Sequence, residues 1–399
     1  MLTPSVALLV SIAGILILLR LKIHLSFAIF AGSIIVSLLA MPLNSIPALF
    51  MQTFSYQTIR LLVIVASALT LSRLMEEKGL LAKLAATMES INPKLALHFI
   101  PAVIGFVPMP AGALVSATAS RDLTKRIGLA PEQGTFINYW FRHIWEFSLP
   151  VYPGLIIASV LFSIPLSLVV TTLAPMSALS IISGAILSYT ILKKIPKVKG
   201  QMTKSIAYNF LKASWPILLL IPSIMLGLEA MIAFPLMVTL LAIRQRATWL
   251  EFKKALKYGV DLRILFMLYA VMLYKATIEN SGAANAVFSD MQAIGLPPLI
   301  MLAAMPLLMG LATGISWAFA GIALPLLVPY IASGSGINGY ALLLAYVSGM
   351  LGVMLSPLHL CLILSAEYFK ATLGKVYKYV LPLAIAMEGI VILIYYLAG

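Results

Sequence analysis

Apolar runs long enough to cross a bilayer follow one another along almost the whole chain, near residues 4–19, 25–41, 58–75, 133–164, 167–192, 213–227, 229–243, 262–275, 339–369 and 378–398. A spanning helix needs about 20 mostly apolar residues and satisfies its backbone groups internally. Such segments fill most of the 399 residues and leave no room for a separate aqueous domain. The composition agrees, with 62% hydrophobic and 10% charged residues, against roughly 25% charged in soluble domains. An all-α polytopic membrane protein is expected, and a soluble enzyme is excluded.

The formal net charge of +14 does not point to nucleic acid, because Lys and Arg are scattered in short connections and build no recognition module. Read as topology signals, they alternate. One side collects Arg20, Lys22, Arg73, Lys78, Lys83, Lys94, Arg121, Lys125 and Arg126, then the stretch from Lys193 through Lys194, Lys197 and Lys199 to Lys204, and later Arg244, Arg246, Lys253, Lys254, Lys257, Arg263, Lys370, Lys375 and Lys378. The other side has little beyond Arg60 and Lys275. The basic side is expected to be cytoplasmic, with both termini outside. The first run lacks the basic start and the cleavage site of a signal peptide and is expected to remain as the first crossing. The single cysteine, Cys361, and four scattered histidines offer no zinc-type spacing, so neither a metal site nor a cofactor is expected.

Two stretches are too polar or too broken to count as crossings. One is 94–122, with Pro108-Met109-Pro110-Ala111-Gly112 in its middle; the other is 297–333, interrupted at Ala312-Thr313-Gly314-Ile315-Ser316. Each is expected to be a re-entrant hairpin, a form tolerated only when buried in protein or lining a wet cavity; a pair of kinked helices is the alternative. Sliding the chain on itself by about half its length aligns Arg60-Leu61-Leu62 with Arg263-Ile264-Leu265, Glu76 with Glu279 and Gly79 with Gly282. With a few residues inserted, Pro150-Val151-Tyr152-Pro153 meets Pro357-Leu358-His359-Leu360. Each half then holds an odd number of crossings, so the two form inverted repeats, 1–200 and 201–399. The first comprises scaffold helices in 4–75, an arm at 76–90, the hairpin 94–122, a broken helix 133–164 and a helix 167–192. The second comprises scaffold helices in 213–275, an arm at 278–293, the hairpin 297–333, a broken helix 339–369 and a helix 378–398. Inverted repeats with broken helices are the signature of secondary transporters, whose substrate sites lie near the midplane.

The first broken helix carries Asn138, Arg142, His143 and Glu146 just ahead of Ser148, Pro150 and Gly154. Ionisable groups at that depth cost anywhere from about 3 to more than 10 kcal/mol, which makes them functional candidates. Arg142 and Glu146 are spaced i, i+4, and His143 and Glu146 i, i+3. Two pairings therefore compete: an Arg142–Glu146 pair that only locks the helix, or an Arg142 that attracts an anion while His143 and Glu146 exchange protons. Half-helices restarting after Pro150–Gly154 and after Ser356–Pro357, beside His359 and Cys361, turn their positive ends to the midplane. The hairpin turns add Ser116, Thr118, Thr313 and Ser316, with the backbone of Pro108, Pro110, Gly112 and Gly314. Glu388 sits mid-helix with no partner nameable from sequence, His98 reads as structural, and Lys275–Glu279 reads as a connector contact.

The Gly105-Phe106-Val107-Pro108-Met109-Pro110-Ala111-Gly112 turn, the Phe141-Arg142-His143-Ile144-Trp145-Glu146-Phe147-Ser148-Leu149-Pro150 stretch and the Ser356-Pro357-Leu358-His359 break resemble an uncharacterised prokaryotic family of integral membrane proteins, over essentially the whole length. That family is grouped with the ion-transporter superfamily, whose members include carriers for dicarboxylates, citrate and gluconate. The resemblance implies a homodimer in the inner membrane, with a scaffold and a mobile domain of two hairpins and two discontinuous helices moving as an elevator. The hairpin tips lack the Ser-Asn-Thr signature of the sodium-coupled dicarboxylate carriers, so a proton is the expected coupling ion and sodium stays open. The expected function is a proton-coupled secondary transporter of a small anion, an organic acid, with the bilayer and a second copy as partners. A cation/proton antiporter with Glu146 as ion ligand and a lipid-handling translocator remain alternatives. No motif for catalysis is present.

Overall fold

Helices that pair all their own backbone groups suit so apolar a chain, and the computed structural model is all-α apart from a short ribbon that pairs Ala332–Ser333 with Gly336–Ile337. It describes residues 2–89, 93–108, 112–193, 204–333 and 336–398. Pro110, with Met109 and Ala111, and the basic residues Lys194, Lys197 and Lys199 lie outside the described residues.

Helices Pro4–Arg20, Leu25–Ala40, Tyr56–Glu77, Leu166–Leu192, Lys204–Met225, Ala230–Arg244, Leu262–Ser281 and Leu373–Ala398 follow the apolar runs, with ends displaced by a few residues. Local chemistry sets those ends. Ser55 accepts from the Thr58 N–H at the start of Tyr56–Glu77, Asp261 accepts from Arg263 N–H ahead of Leu262–Ser281, and Gly282, in the left-handed region at φ 68°, closes the latter. Such caps satisfy backbone groups that a helix end leaves unpaired. Among the described residues, Tyr56–Glu77, Leu166–Leu192, Leu373–Ala398 and the two halves of Gly339–Phe369 taken together are long and apolar enough to cross a membrane; several further apolar helices are shorter.

Three segments depart from the sequence reading. A short helix, Ile46–Thr53, fills the gap between the second and third runs. The basic connection after Arg244 folds as an amphipathic helix, Trp249–Gly259, started by a Thr248–Glu251 capping box. The second hairpin has one regular limb, Pro298–Thr313, while its return limb is split into Ser316–Ile322, a tight turn at Leu324–Leu327 and Val328–Ile331. Pro325 and Pro329 fall in that limb, and each removes a donor and crowds the preceding turn. The arms are shorter than expected: Leu80–Glu89, and Ala283–Ala293 after Leu262–Ser281 has run on past residue 278.

Helix Tyr56–Glu77, about 33 Å long at 1.5 Å per residue, is tied at both ends. At one end Arg60 Nε lies 3.2 Å from Glu229 and Tyr56 donates to the same carboxylate at 3.1 Å. At the other, Lys78 lies 3.0 Å from Glu251. The Thr248 backbone N–H and then Lys78 hold the half-buried Glu251 carboxyl below its ordinary range. A depressed carboxylate stabilises the fold above its unfolded pKa and loses that contribution as pH falls through the depressed value. Glu251→Gln is therefore expected to lower the melting temperature slightly at neutral pH and to match the parent protein in acid, as followed by thermal melts across pH.

Helices Pro298–Thr313 and Gly339–Leu355 meet backbone to backbone. A Cβ on Gly310 would run into the carbonyl oxygen of Gly349, and one on Gly352 into that of Leu307. Small residues permit such approaches between membrane helices.

Candidate functional site

The first broken helix runs from Pro131 to His143, turns through residues 144–152 and restarts as Pro153–Leu161. The helix has ended at His143, and Pro150 then keeps it from resuming across the turn, since it cannot donate to the carbonyl four residues back. The break is fastened to its surroundings at several points. Tyr152 donates to Gly105 O at 2.6 Å, Trp145 Nε1 to Ala102 O at 2.8 Å, and Ser177 to Ile144 O at 2.6 Å. A Cβ at Gly105 would stand 2.5 Å from Arg142 O, so the glycine lets the first limb of the first hairpin, Pro93–Ile104, end directly against the break.

The second broken helix is Gly339–Leu355 followed by Leu360–Phe369. The second hairpin is seated on its break. Ser356 donates to Leu311 O at 2.7 Å, and His359 Nδ1 lies 2.6 Å from Gly314 O. Gly314 is left-handed at φ 66°, and a Cβ there would meet His359 N at 2.8 Å. Neither restarted half-helix has a side-chain cap at its N-terminus.

The two breaks also lean on each other. Tyr139 donates to Met354 O at 2.9 Å and Tyr346 to Glu146 O at 3.3 Å. These tyrosines have the same sequence separation as Pro150 and Pro357, and their acceptors correspond to within one residue, so the bonds are reciprocal to that register. Asn138 Nδ2 donates to Ser365 Oγ at 2.9 Å and to Ala113 O at 3.0 Å. The breaks are unequally covered: Val151 and Tyr152 are 1% and 4% exposed, whereas Leu358 and Leu360 are 62% and 49% exposed.

Ionisable groups gather where the breaks cross, all buried: Arg142, His143, Glu146 and His359. Because the helix stops at His143, Arg142 and Glu146 no longer stand one turn apart. Arg142 Nη1 lies 3.5 Å from the Tyr152 hydroxyl, while Glu146 Oε1 lies 3.7 Å from His143 Nε2 and the carboxylate bonds the Ser316 side chain. His143 thus stands beside Glu146, with the Arg142 charge acting on the same carboxylate.

The histidines contact each other through Nε2 at 3.0 Å. His143 Nδ1 is 2.6 Å from Tyr139 O, and His359 Nδ1 is 2.6 Å from Gly314 O. A carbonyl only accepts, so the network assigns a hydrogen to both Nδ1 atoms. Two Nε2 lone pairs then face each other, and a proton on one of them, or another cation held by both, makes the contact favourable. The Cys361 thiol bonds the His143 side chain, and the ligating atoms of His143, His359 and Cys361 all lie within 4.8 Å of one another. The linear sequence, which shows no metal-type spacing, gives no sign of this cluster.

Other residues singled out from sequence fall at varying distances from this centre. Gly154 is buried, with room only for hydrogen: a Cβ would stand 2.6 Å from the Tyr346 hydroxyl. Ser148 pairs with Ser177 at 2.7 Å and Pro150 is buried in the turn. Gly112 is buried at the start of Gly112–Ile127, and Pro108 O accepts from Ser72 at 3.0 Å. Ser116, Thr118 and Thr313 turn their hydroxyls back onto carbonyls of their own helices, at Ala113, Leu114 and Met309, and Thr118 is exposed. Pro357 is exposed. Away from the crossing, Glu388 accepts from Ser348 at 2.7 Å, His98 Nε2 lies 2.7 Å from Ser188, and Lys275 lies 3.6 Å from Glu279 and 3.5 Å from Gln57. The sequence reading missed Tyr139, Tyr152 and Tyr346; for the first and last the signal was their shared repeat spacing.

In fold, the chain is similar to a crystal structure of the YdaH transporter of Alcanivorax borkumensis, described as having an unusual topology; the TM-score is 0.64, with 13% identity and 90% of each chain covered. No curated protein sequence matches the chain. Residues 3–398 match the family described as Protein of unknown function (DUF401), and the chain, a helical membrane protein, belongs to that family.

Proposed function

We propose that the chain is a secondary transporter of a small anion, an organic acid, coupled to a cation and working by alternating access. One observation carries this reading: both signs of charge are buried together where two broken helices cross. Arg142 and the uncapped N-termini of Pro153–Leu161 and Leu360–Phe369 favour an anion. Glu146 and the facing Nε2 atoms of His143 and His359 favour a cation, of which a proton is the smallest. A site that binds a cation and an anion side by side suits cotransport, because each occupant lowers the electrostatic cost of the other.

The reciprocal tyrosine bonds support reading 1–200 and 201–399 as inverted repeats. The seating of each hairpin on a break supports a body of hairpins and broken helices that moves, elevator-fashion, against the scaffold helices. In this reading the protein is a homodimer in a prokaryotic inner membrane with both termini outside. The structural likeness to the YdaH transporter supports transport as the general class.

Ligand-induced thermal stability of the detergent-purified protein tests the reading, with a panel of carboxylates and inorganic anions, with and without sodium, at acid and neutral pH. A ligand at a hundredfold excess over Kd adds about 2.7 kcal/mol to the native state. One anion class is expected to stabilise the parent protein, less so Arg142→Lys, and not Arg142→Gln. Stabilisation by cations alone, lost in Glu146→Gln, would replace the anion reading with a cation/proton antiporter.

A further inference from the structure

We propose that His143, His359 and Cys361 form a binding site for a single divalent cation of the zinc class, with the fourth position left to water or a bound ligand. The first argument is convergence. Zinc prefers a tetrahedron of nitrogen, sulfur and oxygen donors at about 2.0–2.3 Å, which places neighbouring donors about 3.3–3.7 Å apart. Here the two imidazole Nε2 atoms are 3.0 Å apart, Glu146 Oε1 is 3.7 Å from one of them, and the three His and Cys donor atoms lie within 4.8 Å of one another. A shift of about 1 Å closes the His143, His359 and Cys361 donors around an ion.

The second argument is orientation. A ligating histidine almost always gives its other ring N–H to a carbonyl or carboxylate, which fixes the tautomer and aims the lone pair at the metal. Both histidines meet that condition, His143 through Tyr139 O and His359 through Gly314 O, each at 2.6 Å. Two lone pairs aimed at each other at 3.0 Å repel unless a positive charge lies between them.

The third argument is charge and softness. The Cys361 thiolate, with the Glu146 carboxylate 3.7 Å from His143 Nε2, offsets the two charges of the ion. Imidazole and thiolate donors select zinc-like ions over magnesium, calcium or sodium. Cys361 is half-buried, beside the exposed Pro357, Leu358 and Leu360, so the site has a route to the surface. The ligands come from both halves of the chain, and an ion bound there would lock the two breaks together.

The site stands on ligand geometry and does not depend on the anion reading; failure of the anion panel leaves it untouched. Cys361 is the only cysteine, so its alkylation is a clean readout in the full-length protein. Zn2+ is expected to bind at one equivalent per chain, to slow alkylation of Cys361 at least about tenfold, and to raise the melting temperature, while Mg2+ and Ca2+ do neither. Co2+ used as a probe is expected to give a thiolate charge-transfer band that disappears in Cys361→Ser and weakens in His359→Gln, with both variants checked for monodispersity. Absence of the band and of Zn2+ protection in the parent protein overturns the proposal, even if a variant fails to fold. Metal binding of unchanged strength in both variants overturns it too, since the ion then sits elsewhere.

Discussion

Gly352→Leu is expected to abolish recovery of a folded protein: in detergent extracts the variant should elute as aggregate where the parent protein gives a single peak. A Cβ on Gly352 would run into the Leu307 carbonyl oxygen across the contact of Pro298–Thr313 with Gly339–Leu355, and one on Gly310 into that of Gly349. A side chain there pushes on backbone, which cannot rotate away. Overpacking a core costs about 1–3 kcal/mol when side chains can adjust, and more here, against a total stability of roughly 5–15 kcal/mol. Gly389→Ala is the control. In the last helix nothing lies within 4 Å of a Cβ at Gly389, and the change is expected to be neutral or to stabilise by about 0.5–1 kcal/mol through helix propensity. Equal losses in both variants would show that the helix contact is not what the first substitution breaks.

Gly314→Ala is the second large effect, and it should separate folding from ligand response. The left-handed backbone at this position costs a non-glycine residue about 1–2 kcal/mol, and the added Cβ also meets His359 N at 2.8 Å and Ser356 Oγ at 3.0 Å. Relief of that contact lifts the hairpin off the break and strips His359 Nδ1 of its carbonyl. The protein is expected to stay folded yet to lose at least about tenfold in affinity for any ligand that stabilises the parent protein, by thermal shift. Gly282→Ala has the same backbone cost at φ 68° with nothing within 4 Å of the added carbon. Its melting temperature should fall while its ligand response is retained; identical behaviour of the two variants would remove the hairpin seat from the account.

Much of this architecture is legible from local chemistry. The breaks at 144–152 and 356–359 follow from prolines whose effect reaches only one helical turn, and helix boundaries follow from runs of apolar residues closed by a cap or a glycine. The sequence also places Arg142, His143 and Glu146 beside one break and His359 beside the other. What it does not show is which of these meet. The contacts of His143 with His359 and Cys361 join opposite halves of the chain, and no spacing rule reaches that far. The hairpin hydroxyls other than Ser316 raise a different difficulty. Ser and Thr inside a helix readily bond a carbonyl three or four residues back, as Ser116, Thr118 and Thr313 do, so their presence near a hairpin tip says little about a ligand. Helix Trp249–Gly259 escaped because its charges read as loop, although Thr248 and Glu251 carry the capping-box pattern.

The unequal covering of the two breaks also gives the molecule a direction. Two crossings related by repetition would be interchangeable, but Val151 and Pro153 are shut in while their counterparts Leu358 and Leu360 are open. In the transporter reading, such a pair describes one end of a cycle, and the other end has the roles traded. On that reading a cysteine placed at Val151 is expected to become reactive as one placed at Leu358 becomes protected, and a ligand that halts the cycle to freeze both reactivities together.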